Sequence, residues 1–226
     1  MKSDQSLIEH LGTFISDSKK KGIEQVLSKR TRFITVVLED IYQSHNASAV
    51  IRSCDGFGIQ DLHVIESSNE YTLNPNVAQG AYKWVDLIRY NESTGSNVKR
   101  CLDYLEGEGY VIYATSPHAT DFEIDNLNLE HKAAFLFGTE LSGLSEMAKS
   151  RAHHQVRIPM YGFTESYNLS VSVALCLQKV IGKLHKSTLN WQLDDEERAS
   201  IRLNWYRKSV KNAEILEKVF LERGMG

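Results

Sequence analysis

Residues 33–65 read FITVVLEDIYQSHNASAVIRSCDGFGIQDLHVI. Phe33 to Leu38 is a short β-branched run, the composition of a strand. Asn46 stands where a cap belongs, ahead of a helical stretch from Ala47 to Phe57, and Leu62 to Ile65 forms a second strand. The rhythm continues with a helix over Asn97–Leu105, strands at Tyr110–Ala114 and Ala133–Phe137, a helix near Ser145–Lys149 and a strand at Gln155–Ile158. Alternation of this kind defines an α/β class with a mainly parallel sheet.

Ahead of this stretch Leu7, Ile8, Leu11, Ile15, Ile23, Val26 and Leu27 fall at helical spacings, and a break near Gly22 predicts two short helices. Asn168–Leu184 is apolar nearly all round, which buries it in the core or in an oligomer interface. From Asp194 to Arg223, Ile201, Val210, Ile215, Leu216, Val219 and Phe220 are spaced among charges, predicting one or two amphipathic helices. The chain therefore divides into an N-terminal helical extension over 1–30, an α/β domain over 31–186 and a C-terminal helical extension over 187–226.

At 226 residues, with 42% hydrophobic and 24% charged, the chain can bury a sizeable core. No stretch approaches the ~18 apolar residues of a membrane span, and no basic-then-apolar leader opens the sequence. A cytoplasmic protein without a membrane partner is expected. Cys54, Cys101 and Cys176 lie far apart without a CxxC pair, which predicts reduced, buried thiols and no metal site. The net charge of −3 argues against bulk electrostatic capture of nucleic acid but leaves local patches open. Lys19, Lys20, Lys21, Lys29, Arg30 and Arg32 crowd one end; Arg198, Arg202, Arg207, Lys208 and Lys211 recur at the other. Each group is either a solvated helix face or a phosphate-binding patch.

Several enzyme signatures fail on single residues. Gly138–Ser145 (GTELSGLS) has phosphate-loop glycine spacing, but Leu144 occupies the place of the required lysine. Gly56 and Gly58 follow a helix rather than a strand and lack a third glycine, so a dinucleotide fold has no support. No GxSxG or HExxH occurs, and the adjacent His153 and His154 point to alternate faces of a strand. What remains is three strand-end segments: His45-Asn46 leading to Arg52, Gly138-Thr139-Glu140, and Ile158 through Asn168. In an open parallel sheet such segments converge on a ligand.

These segments carry a resemblance. LEDIYQSHNASAVIRSCDGFGI, FLFGTELSGLSE and IPMYGFTESYNLSVSVAL resemble, in order, the three motifs of the SpoU-type RNA ribose 2′-O-methyltransferases of the SPOUT superfamily. With its terminal helices and AYKWVDL at Ala81–Leu87, the chain is most similar to the TrmH-like group, which methylates guanosine 18 in the tRNA D-loop. The resemblance implies AdoMet as cofactor, tRNA as substrate, a deep C-terminal trefoil knot and a homodimer across the knot helices. The same chemistry on ribosomal RNA or another tRNA position is the alternative, and RNA binding without turnover is a further one.

By carry-over, Arg52 is the catalytic residue. A ribose 2′-hydroxyl loses its proton as it attacks the methyl group, so a base or an anion stabiliser must stand close. Guanidinium is a poor base, and the sequence leaves both roles open, as it does a surface ion pair with Asp55 three residues on. Asn46 orients Arg52 or the ribose, or caps its helix. Glu140 pairs with Arg52 or holds a substrate hydroxyl; Ser166 and Asn168 cap the apolar helix and face the catalytic pocket. Thr115, Gly138, Ile158 and Tyr167 are assigned to AdoMet, with Pro159 and Met160 shaping the adenine side. Tyr167 departs from the leucine usual beside the third-motif Ser and Asn. Lys19, Lys20, Lys21, Arg30, Arg32, Arg202, Arg207 and Lys208 are the RNA phosphate candidates.

Overall fold

The computed structural model describes residues 2–224, with side chains from Asp4 to Glu222. It comprises two compact units, one from Thr31 to Trp191 and the other joining the described residues up to Arg30 with those from Gln192 on.

In the larger unit, β1 (Ile34–Glu39) is buried at every position, as its β-branched composition demands of a central parallel strand. Helix α3 (Ser44–Gly56) follows, then β2 (Asp61–Ile65), parallel to β1 with Val36 opposite Leu62. The helix begins earlier than expected, because Gln43 takes the cap position. Asn46 therefore sits inside the first turn, 3% exposed, and is not the cap. Its side chain is directed elsewhere, as described below.

A short helix α4 (Pro75–Ala78), a 3-10 turn (Ala81–Lys83) and β3 (Asp86–Tyr90) come next. Helix α5 (Asn97–Gly107) is capped by Ser96, whose hydroxyl accepts the Lys99 N–H. Strands β4 (Val111–Thr115), β5 (Phe122–Glu123) and β6 (Ala133–Phe137) lead to α6 (Glu146–Arg151), β7 (His154–Arg157) and α7 (Leu169–Leu184). All strand pairs are parallel, in the order β3-β2-β1-β6-β4-β7-β5. The sequence does not reveal strands β3 and β5: β3 (DLIRY) is only half-buried at the sheet edge and carries Asp86 and Arg89, and β5 has two residues.

Side chains of β1 alternate between two apolar layers. Val36 and Leu38 pack with Val50, Ile51 and Cys54 of α3 and with Val173, Leu177 and Val180 of α7. Val37 faces Cys101, Leu102 and Leu105 of α5 and Ala148 of α6. The three cysteines are buried thiols outside any disulfide, and burial pushes the Cys101 thiol up to about 12.

His63 on β2 is 1% exposed, its Nδ1 lying 3.0 Å from Tyr90 Oη. Burial lowers its pKa to about 4. The unfolded chain, with histidine near 6.5, binds more protons between these values, so stability is complete above pH 6.5 and falls as the pH drops towards 4. At pH 5 the loss amounts to about 2 kcal/mol. Thermal melts of the wild type should decline from pH 7 to pH 5, and His63→Phe should flatten that decline; an identical slope in the variant would refute the assignment.

In the smaller unit, α1 (Lys2–Gly12) and α2 (Asp17–Leu27) precede, in sequence, α8 (Asp195–Ser209) and α9 (Ala213–Gly224). The break between the first two falls at 13–16, not at Gly22. Ser16 caps α2 by accepting the Lys19 N–H, and the isolated Gly22 is tolerated inside the helix at a cost of ~1 kcal/mol. A capping box between Asp194 and Glu197 opens α8.

Candidate active site

The carboxyl ends of β1, β4, β6 and β7 frame the site. Directly after β6, Gly138 passes so near the returning chain that a Cβ would lie 2.1 Å from the Gly143 carbonyl carbon and 2.3 Å from Leu144 N. Thr139 and Gly143 exchange backbone hydrogen bonds of 3.1 and 3.0 Å, closing a tight turn that carries Glu140. The far end is fastened where Glu39 Oε2 accepts the Ser145 N–H at 2.9 Å.

Glu140 joins two distant asparagines. Its Oε1 accepts from Asn46 Nδ2 at 2.6 Å and from Asn168 Nδ2 at 3.0 Å, and Asn168 Nδ2 also reaches Asn46 Oδ1 at 3.1 Å. The second amide proton of Asn46 goes to Gln43 Oε1 at 3.0 Å. Asn168 is at the same time the cap of α7, its Oδ1 accepting the Ser170 N–H at 3.0 Å. Three of the proposed catalytic residues, one from each segment, thus close into a single hydrogen-bonded triangle.

A cavity of about 340 Å³ opens beside this triangle. Of the sequence candidates, Thr115, Gly138, Glu140, Ile158, Met160, Ser166 and Tyr167 line it. Pro159 does not, nor do Asn46, Asn168 and Arg52. The Thr115 hydroxyl is occupied, donating to Leu136 O at 2.7 Å. Ser116, Pro117 and His118 after β4, together with Lys149 and Gln155, also line the cavity and were missed. The rule that ligands gather at strand ends would have found the 116–118 segment once the end of β4 was fixed.

Arg52 is exposed on α3. Leu141, which lines the cavity, is exposed, as are Tyr161 and Phe163 in the segment after Met160, and Val171 and Leu175 stand out from α7, whose opposite side is buried. No group of three or more metal-ligating side chains occurs among the described residues.

The structure corrects part of the basic set. Arg30 is 1% exposed, its guanidinium 5.2 Å from the centre of the Trp205 ring, so it is a core residue and not a phosphate contact. Arg32 is held by Asp61 at 2.9 Å and Asp86 at 3.5 Å. Arg202 grips Glu24 with two hydrogen bonds (2.5 and 2.7 Å), and Arg207 does the same with Glu217 (2.7 and 3.0 Å). Lys19, Lys21 and Lys208 are exposed, and Lys20 is half-buried beside Asp17.

A parallel α/β sheet with three strand-end segments closed on one another matches the SpoU rRNA Methylase family over residues 33–178, and the chain belongs to that family. Among individual proteins, it is 43% identical to the tRNA (guanosine(18)-2′-O)-methyltransferase of Borreliella burgdorferi, covering 96% of this chain and 98% of that one. The enzyme of the same name from Thermus thermophilus is 29% identical over 85% of this chain and 98% of its own. The crystal structure of the A. aeolicus TrmH/SpoU tRNA modifying enzyme superposes with a TM-score of 0.76 at 25% identity, covering 87% of this chain and 98% of that one.

Proposed function

We propose that the chain is an AdoMet-dependent methyltransferase acting on the ribose 2′-hydroxyl of guanosine 18 in tRNA. The observation that carries this reading is the 43% identity to the Borreliella enzyme across 96% of the chain, terminal helices included.

The cavity suits AdoMet. Its volume of about 340 Å³ lies in the range of small-molecule sites, Phe137, Ile158 and Leu169 give it apolar walls, and the close backbone approach at Gly138 shapes one side. Thr115, Gly138, Ile158, Met160 and Tyr167 would hold the cofactor. When bound, AdoMet supplies an electrophilic methyl group.

The chain's own residues position the acceptor. Both amide donors meet Glu140 at Oε1, which leaves Oε2 to accept from a ribose hydroxyl. Asn46 and Asn168 fix that carboxylate, and Ser166 adds a hydroxyl at the cavity wall. Arg52 would present its planar cationic fork to negative charge developing on the 2′-oxygen, while water or an RNA phosphate takes the hydroxyl proton.

A homodimer is part of the proposal. The exposed Val171 and Leu175 on α7, continuous in sequence with the exposed 161–167 segment, offer an apolar face of the kind a second protomer covers. Such a partner would also account for Arg52 standing outside the cavity of its own chain. The deep knot is supported by the insertion of β6 between β1 and β4 and of β7 between β4 and β5, and by the tight crossing at Gly138. Lys19, Lys20, Lys21 and Lys208 are our choice for tRNA phosphate contacts. We assign a cytoplasmic location; among the described residues no helix is long and apolar enough to cross a membrane.

Labelled AdoMet and unmodified tRNA transcripts test the reading. Methyl transfer should map to the ribose of guanosine 18 by digestion and mass analysis and should vanish when that nucleotide is changed. Transfer to ribosomal RNA with none to tRNA would replace the substrate, an alternative that the family's description favours.

A further inference from the structure

A second concavity, of about 570 Å³, lies beside the hydrogen-bonded triangle, between the residues leading into α3 and those following β2. Gln43 lines this concavity, Glu140 lines the first, and Asn46 donates to both, at 3.0 and 2.6 Å. The two are therefore joined by one relay of side chains, with the proposed ribose-positioning carboxylate at the junction. Nothing in the cofactor chemistry uses the second one.

Its walls combine an aromatic face with a carboxylate. Tyr42 is 79% exposed and Glu70 is 78% exposed in its side chain, both lining the same concavity. The wall between 67 and 69 is rigid, because Asp40 Oδ1 accepts the backbone N–H groups of Ser67, Ser68 and Asn69 at 3.1, 2.7 and 2.7 Å. Asp40 adopts a left-handed backbone (φ 58°) to do so, and its carbonyl accepts Asn69 Nδ2 at 3.1 Å. Arg89, anchored on the buried Glu66 at 2.6 Å, lies 3.6 Å from Glu70, steadying the carboxylate without enclosing it.

Resting on the reading above, we propose that this concavity receives the guanine base of the target nucleotide, with the Tyr42 ring stacked on the base and Glu70 accepting from guanine N1–H and its 2-amino group. Unpaired bases are taken up by aromatic stacking and read along their Watson–Crick edges. Guanine presents two adjacent donors on that edge, which a carboxylate meets with two acceptors. Adenine presents an acceptor at N1 and is repelled there. With the base so placed, the ribose of the same nucleotide falls at the Asn46–Glu140 junction, facing the methyl-donor cavity.

The test compares single-turnover methylation of transcripts carrying guanosine or inosine at position 18; inosine lacks the 2-amino group. The wild type should prefer guanosine about tenfold or more. Glu70→Gln should lower kcat/KM for guanosine roughly 10- to 100-fold and bring the guanosine-to-inosine ratio near unity. Tyr42→Ala should slow both substrates about equally, tenfold or more, and Tyr42→Phe should restore them. AdoMet Kd by calorimetry should be unchanged throughout. A wild-type ratio near unity, a Glu70→Gln variant that keeps the wild-type ratio, or an altered AdoMet Kd would each overturn the assignment while leaving the methyltransferase reading intact. A wild type that methylates no tRNA would instead overturn the proposed function. The concavity would then stand or fall on NMR titration with GMP and AMP: a GMP preference lost in Glu70→Gln supports it, and no preference overturns it.

Discussion

Arg52→Ala is expected to lower methyl transfer by about a thousandfold while leaving the protein folded. Folding and turnover depend on different properties of this side chain. Arg52 is exposed on α3, and surface substitutions usually stay within about 0.5 kcal/mol. Alanine is also the better helix former, so α3 is not weakened from within. The kinetic half follows from charge: oxygen gains negative charge as the hydroxyl attacks, and removing one positioned donor from such a centre costs about 10²- to 10³-fold, more if proton movement is also affected. Arg52→Lys keeps the charge but loses the planar fork and should recover only part of the rate. Single-turnover rates, alongside AdoMet affinity and a thermal melt, read all three quantities. A variant with normal turnover would remove Arg52 from the mechanism.

Gly138→Ala should be as damaging by a different route. The new methyl group would stand 2.1 to 2.3 Å from three backbone atoms of Gly143 and Leu144, and backbone cannot rotate out of the way as a side chain can. The turn from 139 to 143 must open, and Glu140 is carried on it. AdoMet affinity should fall more than about a hundredfold, and strain of ~2–3 kcal/mol should lower Tm by roughly 5–10 °C. Calorimetry with AdoMet and a melting curve check both; wild-type affinity in the variant would show that the crossing is slack.

Much of this architecture was legible in the sequence, and the reason is local. β1, β6 and α7 announce themselves because each is wholly or largely apolar: β1 is β-branched, β6 is a short unbroken apolar run, and α7 is long enough only for a helix. β3 stayed hidden because an edge strand can be half polar. Asn46 misled because asparagine is a good cap, and only its contact with Glu140, 94 residues away, draws it into the helix instead. Arg30 misled in the opposite sense: a basic residue in a basic cluster reads as surface until Trp205 covers it. Within the site, motif resemblance pointed to Asn46, Glu140 and Asn168, and the structure brings them together. Of the other cavity residues, 116–118 follow directly on β4 and were within reach of the strand-end rule, whereas Lys149 and Gln155 belong to no chemical pattern that one sequence displays and become neighbours only through the sheet.

The central pairing of β1 with β6 sets Val37 beside Leu136, about a hundred residues downstream. During synthesis at ~5–20 residues per second, β1 therefore emerges from the ribosome roughly 5–20 s before the strand that covers its open edge. Throughout that interval the nascent chain holds β1 and β2 with one hydrogen-bonding edge bare and the apolar side of α3 lacking α7. For that long the half-made sheet exposes an unpaired edge, and β6, a strand from beyond the middle of the chain, completes the centre of the sheet rather than its rim.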